Sequence, residues 1–373
     1  MAEDILGLGK PPSKTRVVVA MSGGVDSSVT AALLSEAGYD VVGMTMQLYD
    51  HGFVSGKTKA CCAGIDIYDA RVVAEKLGFP HYVLNYESRF KESVIDDFVD
   101  SYVAGETPVP CIRCNQTVKF TDMFQAAKDL GAEALATGHY VRRIAGKRGA
   151  ELHKGVDINR DQSYFLFATT QEQLNFLRFP LGGVPKDETR RLARKYELEV
   201  SEKPDSQDIC FVPDGKYASL VEKLRPGTLE EGDILHVDGR HLGKHQGTIH
   251  YTIGQRRGLG VSNDDGDPLY VVSIDPSKHQ VFVGPRSFLA KSEIFVRQVN
   301  WLGFDDESWQ GKPVSVRIRS SQKPLSAFLE LNQSEKKAII RLNEKEYGVA
   351  SGQACVVYDG ERVLGGGWIS GAR

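Results

Sequence analysis

Five residues, Arg16-Val17-Val18-Val19-Ala20, make a largely β-branched run with no polar alternation after its first residue. A strand without alternation is buried on both faces, the condition of a parallel sheet covered by helices. The next residues, Ser22-Gly23-Gly24-Val25-Asp26-Ser27-Ser28, form a loop that leads into a helical pattern over 28–37. Gly38 is placed to end that helix in a left-handed cap. Strand, Gly/Ser loop and helix in this order make an anion site. The glycines allow close backbone approach, free N–H groups point outward, and the helix dipole adds positive potential. The loop is neither a Walker A motif, since no Lys-Ser/Thr closes it, nor Gly-x-Gly-x-x-Gly.

The strand and helix patterns alternate through the first ~200 residues, as a doubly wound α/β domain requires. Strands are expected at 40–46, 81–85 and 133–137, and helices at 67–77 (with Asp66 as N-cap), 88–103, 117–130, 171–179 and 186–196. The stretch 107–115, with Pro108 and Pro110, reads as a stiff loop. Ligands of such folds sit at the carboxyl ends of strands; the opening loop, Met46, Cys114 and Gly138-His139 are all expected to follow such ends and so to converge on one site. Near Lys203-Pro204-Asp205 the texture changes to short β-type runs separated by Gly and Pro. They lie at 232–235, 269–274 and 280–284, then at 314–318, 338–342, 353–358 and 362–368. Short strands at close spacing suggest a small barrel. The expected organisation is a short disordered arm (1–14), a catalytic α/β domain (15–207), a β-rich central domain (208–288) and a C-terminal β-barrel (289–373).

A length of 373 residues allows two or three domains, and 41% hydrophobic with 25% charged residues is ordinary for a soluble globular protein. No apolar run is long enough to span a bilayer, and Met1-Ala2-Glu3-Asp4 does not open a signal peptide, so a cytoplasmic location is expected. A net charge of −3 does not announce a nucleic-acid binder. Three basic clusters still offer local sites for phosphates: Arg142–Lys154, Arg190-Arg191 with Arg194-Lys195, and Arg256-Arg257. Without a secretory signal, the six cysteines (61, 62, 111, 114, 210 and 355) read as reactive or metal-binding thiols rather than disulfides. Cys111 and Cys114 form Cys-x-x-Cys, Cys210 lies at the domain boundary, Cys61-Cys62 precede a helix, and Cys355 sits in an apolar strand as an inert thiol.

Ser-Gly-Gly-x-Asp-Ser-Ser resembles the pyrophosphate loop of ATP pyrophosphatases, which split ATP between the α and β phosphates. In that resemblance Ser22, Ser27 and Ser28 donate to pyrophosphate and Asp26 helps place Mg²⁺. Paired with separated cysteines, such a loop implies that a carbonyl oxygen is adenylated and then displaced by sulfur. Taken with 107–120, 136–140, Asp161-Gln162-Ser163-Tyr164-Phe165-Leu166, 205–211, 251–260 and Ser351-Gly352-Gln353-Ala354, the chain after Arg16 resembles the bacterial tRNA-specific 2-thiouridylase family. That family uses ATP and a relayed persulfide to convert wobble uridine 34 of Lys, Glu and Gln tRNAs to 2-thiouridine. Its sulfur comes from a cysteine desulfurase or a relay protein.

The resemblance implies Cys114 as nucleophile and Cys210 as persulfide carrier, the two being able to form a disulfide after turnover. It implies ATP contacts at Ala20, Met21, Ser22, Gly23, Gly24, Val25, Asp26, Ser27, Met46 and Gly138. Contacts with tRNA are implied at Val109, Pro110, Cys111, His139, Arg160, Asp161, Gln162, Arg319, Ser320 and Gln353. Alone, Asp161, Gln162 and Ser163 would be ordinary turn residues. At Cys111 the chain departs from the family, which commonly has an Asp acid/base there. Cys111 either replaces that group or joins Cys114 and Cys210 in holding a [4Fe–4S] cluster. Two other classes stay open at this point. One is an amidating or argininosuccinate-forming ATP pyrophosphatase; the other is a non-enzymatic RNA- or metal-binding module.

Overall fold

The computed structural model describes residues 4–49, 62–205, 209–212, 215, 217–263, 266–303 and 309–373. Cys61 and the side chain of Cys62 lie outside the described residues, as do Ser206, Gln207 and Asp208. The chain divides into two compact units. One comprises 1–94, 111–211 and 361–363; the other comprises 95–110, 212–360 and 364–373.

The first unit is built on a parallel sheet. Its strands β1 (Arg16–Ala20), β2 (Asp40–Gln47), β3 (His81–Asn85), β4 (Ala134–Ala136) and β7 (Leu177–Arg178) lie in the order β3-β2-β1-β4-β7. The β-branched run is central because it can be: Val17, Val18 and Val19 are all 0% exposed. The strand order reverses at β1 and β4, so the loops after these two strands flank the crevice where doubly wound sheets bind ligands. Helix α1 (Val25–Glu36) covers one face with Val29, Ala31 and Leu34 buried, and Gly38 ends it at φ +82° as expected. The 1–14 arm is not disordered from Asp4 onward. Leu6 joins the core, its N–H donates to Tyr39 OH at 3.2 Å, and Arg178 donates to its carbonyl at 2.9 Å.

Three local expectations are corrected. Helix α2 (Cys62–Leu77) begins before Asp66, which is therefore not its N-cap. The expected loop at the Cys-x-x-Cys motif is a helix, α3 (Pro110–Cys114), continued by a nine-residue π-helix (Asn115–Met123) and α4 (Phe124–Asp129). Pro110 at its first position starts a helix rather than preventing one, because the missing N–H would be unpaired there anyway. The basic run 142–154 is an antiparallel hairpin of β5 (Val141–Gly146) and β6 (Gly149–Lys154).

In the second unit, a four-stranded sheet carries β8 (Gly232–His236), β9 (His241–His245), β10 (Tyr270–Asp275) and β11 (Gln280–Gly284) in the order β10-β11-β8-β9. Beyond it lie β12 (Ala290–Trp301), β13 (Pro313–Arg317), β14 (Leu325–Asn332), β15 (Lys337–Tyr347), β16 (Ala354–Asp359) and β17 (Arg362–Ala372). They run β12-β15-β14-β13-β16-β17, and β17 pairs back onto β12, closing a six-stranded barrel. Its interior holds Ile294, Val316, Leu329, Ile340, Val357 and Leu364, with Cys355 fully buried as expected. Closure removes the free edges that would otherwise invite aggregation.

The segment 95–110 is sewn into this second unit rather than into the α/β unit where the sequence places it. Thr107 N–H donates to Ser351 O at 2.8 Å, Gln353 Nε2 donates to Thr107 O at 3.0 Å, and Arg297 pairs with Glu106 at 2.7 Å. Polar links of this kind leave no hydrophobic pattern to read.

Leu34 is 0% exposed against β1 and its neighbours. Leu34→Ala should cost about 2–5 kcal/mol. Urea unfolding followed by far-UV circular dichroism would show this as a lowered midpoint.

Candidate active site

The loop after β1 is held by its own hydroxyls. Ser27 Oγ accepts from Ser22 N–H at 3.1 Å, lies 3.2 Å from Ser22 Oγ and donates to Gly24 O at 3.2 Å. Ser22 and Ser27 thus sit together at the mouth of α1. Ser28, expected to reach pyrophosphate, does not: it is 0% exposed and its hydroxyl donates to Gly24 O at 2.9 Å. Gly23 must be glycine. Its φ is +71°, and a Cβ there would lie 2.1 Å from Asp66 O. Gly138, after β4, approaches the same loop so closely that a Cβ would lie 2.9 Å from Ser27 N. Met46 lies in β2, beside β1. The expected ATP-contact residues thus come from β2, β1 with its loop, and the end of β4, three strands that neighbour one another in the sheet.

Asp26 is tied down. Its Oδ1 accepts from Lys186 Nζ at 2.7 Å and from Tyr140 OH at 2.8 Å, and its Oδ2 accepts from Lys186 at 2.9 Å. Lys186, whose side chain is 7% exposed, also contacts Asp205 Oδ1 at 2.8 Å. Asp205 is further paired with Arg190 at 3.0 Å and Arg160 at 2.9 Å. Burial alone would raise the Asp205 carboxyl, but the Lys186 hydrogen bond and charge, with Arg160 and Arg190, hold it below the usual range. Lys203 donates to Gly23 O at 2.9 Å while pairing with Asp66 and Asp69 at 2.6 Å each. Neither lysine is signalled by the sequence; each is an ordinary charge until the fold supplies its partners. A lone carboxylate beside phosphate oxygens is the usual protein share of a Mg²⁺ site, and Asp26 Oδ2 keeps acceptor capacity for it.

Cys111, Cys114, Cys210 and the inert Cys355 are free thiols. Cys111 is exposed in the first turn of α3 and Cys114 is buried at its end. The carbonyl of Cys210 accepts from Tyr49 OH at 2.8 Å. Although the surface of Cys210 is open, surrounding protein mass desolvates its thiol and, with Cys114 and Cys111 alongside, pushes it up to about 12. Burial raises Cys114 as well; Lys119 opposes the rise at all three thiols. The π-helix explains how Lys119 comes to face them. Its wider turn brings a residue five positions after Cys114 back toward the same face, where an α-helix would carry it well around the axis. Among the described residues no group of three His, Cys, Asp or Glu stands where it could hold a metal ion, which does not favour the cluster alternative for Cys111, Cys114 and Cys210.

The other expected residues are divided. His139 is half-buried between the edges of Phe120 and Phe179, with Nδ1 2.8 Å from Thr137 Oγ1. Burial, then the charge of Lys119, depresses His139 to about 3, so it is neutral at physiological pH. Asp161 is buried and locks its own turn, accepting from Gly155 and Ser163 N–H at 3.2 and 3.1 Å. Gln162 accepts from Tyr140 N–H at 2.9 Å. In the second unit Arg319 and Gln353 line one cleft of about 440 Å³ together with Arg286, Tyr270 and Tyr347. Arg286 stacks on the Tyr347 ring at 4.2 Å, and Ser320 occupies the turn beside Arg319. Val109 and Pro110 immediately precede the α3 cysteines.

Two basic clusters are largely spent internally. Arg142 donates to Lys154 O and Arg143 to Leu174 O, at 2.8 and 3.0 Å. Arg190, Arg191, Arg194 and Lys195 pair with Asp205, Glu188, Glu202 and Glu36. Arg256 and Arg257 are exposed and have no ion-pair partner among the described residues.

Comparison with known proteins decides between the open classes. A curated relative from Rhodospirillum centenum, named tRNA-specific 2-thiouridylase MnmA, is 61% identical over 370 residues, 98% of this chain and 94% of its own length. The chain belongs to the MnmA family. Relatives of the same name from Paracoccus denitrificans and Rickettsia felis are 60% and 59% identical over 99% and 96% of this chain. Family models match residues 15–214 (tRNA methyl transferase HUP domain), 221–285 (tRNA methyl transferase PRC-barrel domain) and 291–369 (Aminomethyltransferase beta-barrel domain). Among solved structures the likeness is slight. The U34-tRNA thiolase NcsA from Methanococcus maripaludis is 18% identical, covering 60% of this chain and 71% of its own, with a TM-score of 0.37.

The depressed His139 fixes a pH dependence. Its native form is neutral, so the stability it contributes is complete above the unfolded value of about 6.5 and is lost as pH falls from there toward about 3. His139→Asn should flatten that part of the stability profile, measured as thermal midpoints across the acid range. Lys119→Met should slow alkylation of Cys114 near neutral pH, read by mass spectrometry of the tryptic peptide, because it removes the cation that favours the thiolate.

Proposed function

We propose that this chain makes 2-thiouridine at the wobble position of tRNAs for Lys, Glu and Gln, by adenylating the uridine and then replacing its C2 oxygen with sulfur. The observation that carries the reading is one unit of the fold holding both a pyrophosphate loop and the free thiols of Cys114 and Cys210.

In the first step the C2 carbonyl oxygen of uridine 34 attacks the α-phosphorus of ATP and pyrophosphate leaves. The N–H groups at the start of α1 and the hydroxyls of Ser22 and Ser27 hold the departing phosphates. Asp26 would hold Mg²⁺, which neutralises charge on the phosphates. In the second step Cys210 carries a persulfide delivered by a cysteine desulfurase or relay protein. The Cys114 thiolate attacks the Cys210 sulfur, forming a Cys114–Cys210 disulfide and expelling hydrosulfide. The hydrosulfide adds to the activated C2, AMP leaves with the former carbonyl oxygen, and a thiol reductant returns two electrons to the disulfide. The raised thiols keep both cysteines protonated and quiet until tRNA and sulfur arrive. Neutral His139, Arg160, Gln162, Arg319, Ser320 and Gln353 contact the tRNA, with Asp161 shaping the turn that presents its neighbours. Cys111 meets the target base with Val109 and Pro110 and stands where the family has its acid/base. The reaction is cytoplasmic, and no described helix is long and apolar enough to cross a membrane.

The test supplies unmodified tRNA, ATP, Mg²⁺ and a persulfide donor. Expected is tRNA-dependent pyrophosphate release with 2-thiouridine at position 34. Cys114→Ser and Cys210→Ser should each lower thiolation on the order of 10³-fold or more while leaving pyrophosphate release measurable. Full thiolation by either variant would refute the relay. Asp26→Asn should lower pyrophosphate release itself.

A further inference from the structure

The turn Ser351-Gly352-Gln353, which leads into β16, is fixed to the barrel by its backbone. Gly352 N–H donates to Ile369 O at 2.9 Å, and Ile369 N–H donates to Gln353 O at 2.8 Å. From that anchorage the turn grips the chain at 106–107. Thr107 N–H donates to Ser351 O at 2.8 Å, and Gln353 Nε2 donates to Thr107 O at 3.0 Å, so one turn holds both backbone polar groups of Thr107. Gly352 has φ +85°, and a Cβ there would lie 2.8 Å from Glu106 Cβ and 2.9 Å from Thr107 N. Only glycine allows so close an approach. Glu106 is held in turn by Arg297 of β12, at 2.7 and 2.8 Å. Between Thr107 and Cys111 the chain runs Pro108-Val109-Pro110, and Pro110 opens α3. Each proline ring fixes its own φ, and Thr107 and Val109, each preceding a proline, are confined to extended backbone. A tether of this kind has little freedom, so where Thr107 is fixed, the start of α3 is fixed too.

We propose that Gly352 and Gln353 are positioning residues: by clamping Thr107 they set the place of Val109, Pro110 and Cys111 and, through α3, of Cys114. The inference rests on the reading that this stretch meets the target base and that Cys114 is the nucleophile. One of the two Nε2 hydrogens of Gln353 is already bound inside the protein. Gln353 therefore acts on the reaction through Thr107 as well as by touching tRNA. The barrel contributes to the chemistry without supplying a reacting group, because a reacting group displaced by about 1 Å can lose rate on the order of 10²-fold. Cys114 is 7% exposed, so its approach to a base depends on how α3 is presented.

The experiment uses two variants of the full chain. Gly352→Ala puts a methyl group into the clamp and removes no side chain that could touch RNA. Gln353→Met keeps the length of the side chain and removes the donor to Thr107 O. The first readout is alkylation of Cys114 by iodoacetamide without tRNA or ATP, quantified by mass spectrometry of its peptide. Cys355, 0% exposed in the barrel, reports general loosening in the same digest. The second readout is thiolation of unmodified tRNA with ATP, Mg²⁺ and a persulfide donor, with kcat and KM for tRNA separated. Both variants should alkylate Cys114 several-fold faster than the unsubstituted protein while Cys355 stays unreactive. Gly352→Ala should lower kcat about tenfold and leave KM for tRNA nearly unchanged, a split that simple loss of an RNA contact would not give. If Gly352→Ala fails to fold, Gln353→Met decides by its Cys114 alkylation. The proposal is overturned if Cys114 alkylation is unchanged in the variants that fold, or if Cys355 becomes reactive to the same degree. It is equally overturned if Gly352→Ala thiolates with unchanged kcat. If the unsubstituted protein makes no 2-thiouridine, the proposed function fails, and the alkylation readout still decides the clamp.

Discussion

The close approach of the backbone at Gly23 is the constraint from which the first unit's arrangement follows. With a Cβ position only 2.1 Å from Asp66 O, α2 sits hard against the loop, and no other residue type fits between them. Gly138 imposes the same condition from the β4 side. Between these two contacts the first turn of α1 has one available direction, with its N–H groups open. An anion site depends on such rigidity, because donors already in place cost no reorganisation when charge arrives.

Around that fixed loop the charges are arranged in matched sets rather than as a free positive surface. Lys186 and Lys203 each answer two carboxylates, and Asp205 answers three cations. A net charge of −3 is thus compatible with a phosphate-handling protein. Much of its basic content is committed to internal geometry, and the exposed remainder, such as Arg256 and Arg257, is local. The cysteines obey the same economy. They are held protonated by desolvation, and Lys119 supplies the opposing pull.

Much of this was legible because buried parallel strands and glycine turns leave strong local traces. β1 was read at its true bounds from three consecutive valines, and Gly38 was read as a cap from its place after an apolar-periodic run. The failures share a physical cause. At Pro110 the same residue that stiffens loops also begins helices, and nothing local separates the two. In the β5–β6 hairpin, Arg142 and Arg143 conceal a strand because their partners, Lys154 O and Leu174 O, are distant in sequence. β14 is hard to read because, although Ala327 and Leu329 are buried, the exposed Phe328 between them breaks the apolar/polar alternation. Lys186 and Lys203 were invisible for a stronger reason. An ion bridge has no periodicity, and its meaning exists only once the partners are folded beside it. The resemblance named the chemistry at Cys114 and Cys210 but could not tell that Ser28 faces inward.

The π-helix after Cys114 bears on how this chain can change over generations. A π-helical turn closes its hydrogen bonds over one residue more than an α-turn does, and so behaves as an α-helix that has accommodated an insertion. Losing one residue between 115 and 123 would let ordinary α-geometry return at little conformational cost, and the helix would survive. What would be lost is phase: Lys119 would swing away from the cysteines while every core strand kept its place. Length variation in this stretch is therefore tolerable to the scaffold and intolerable to the chemistry, so that a well-folded descendant could be catalytically silent.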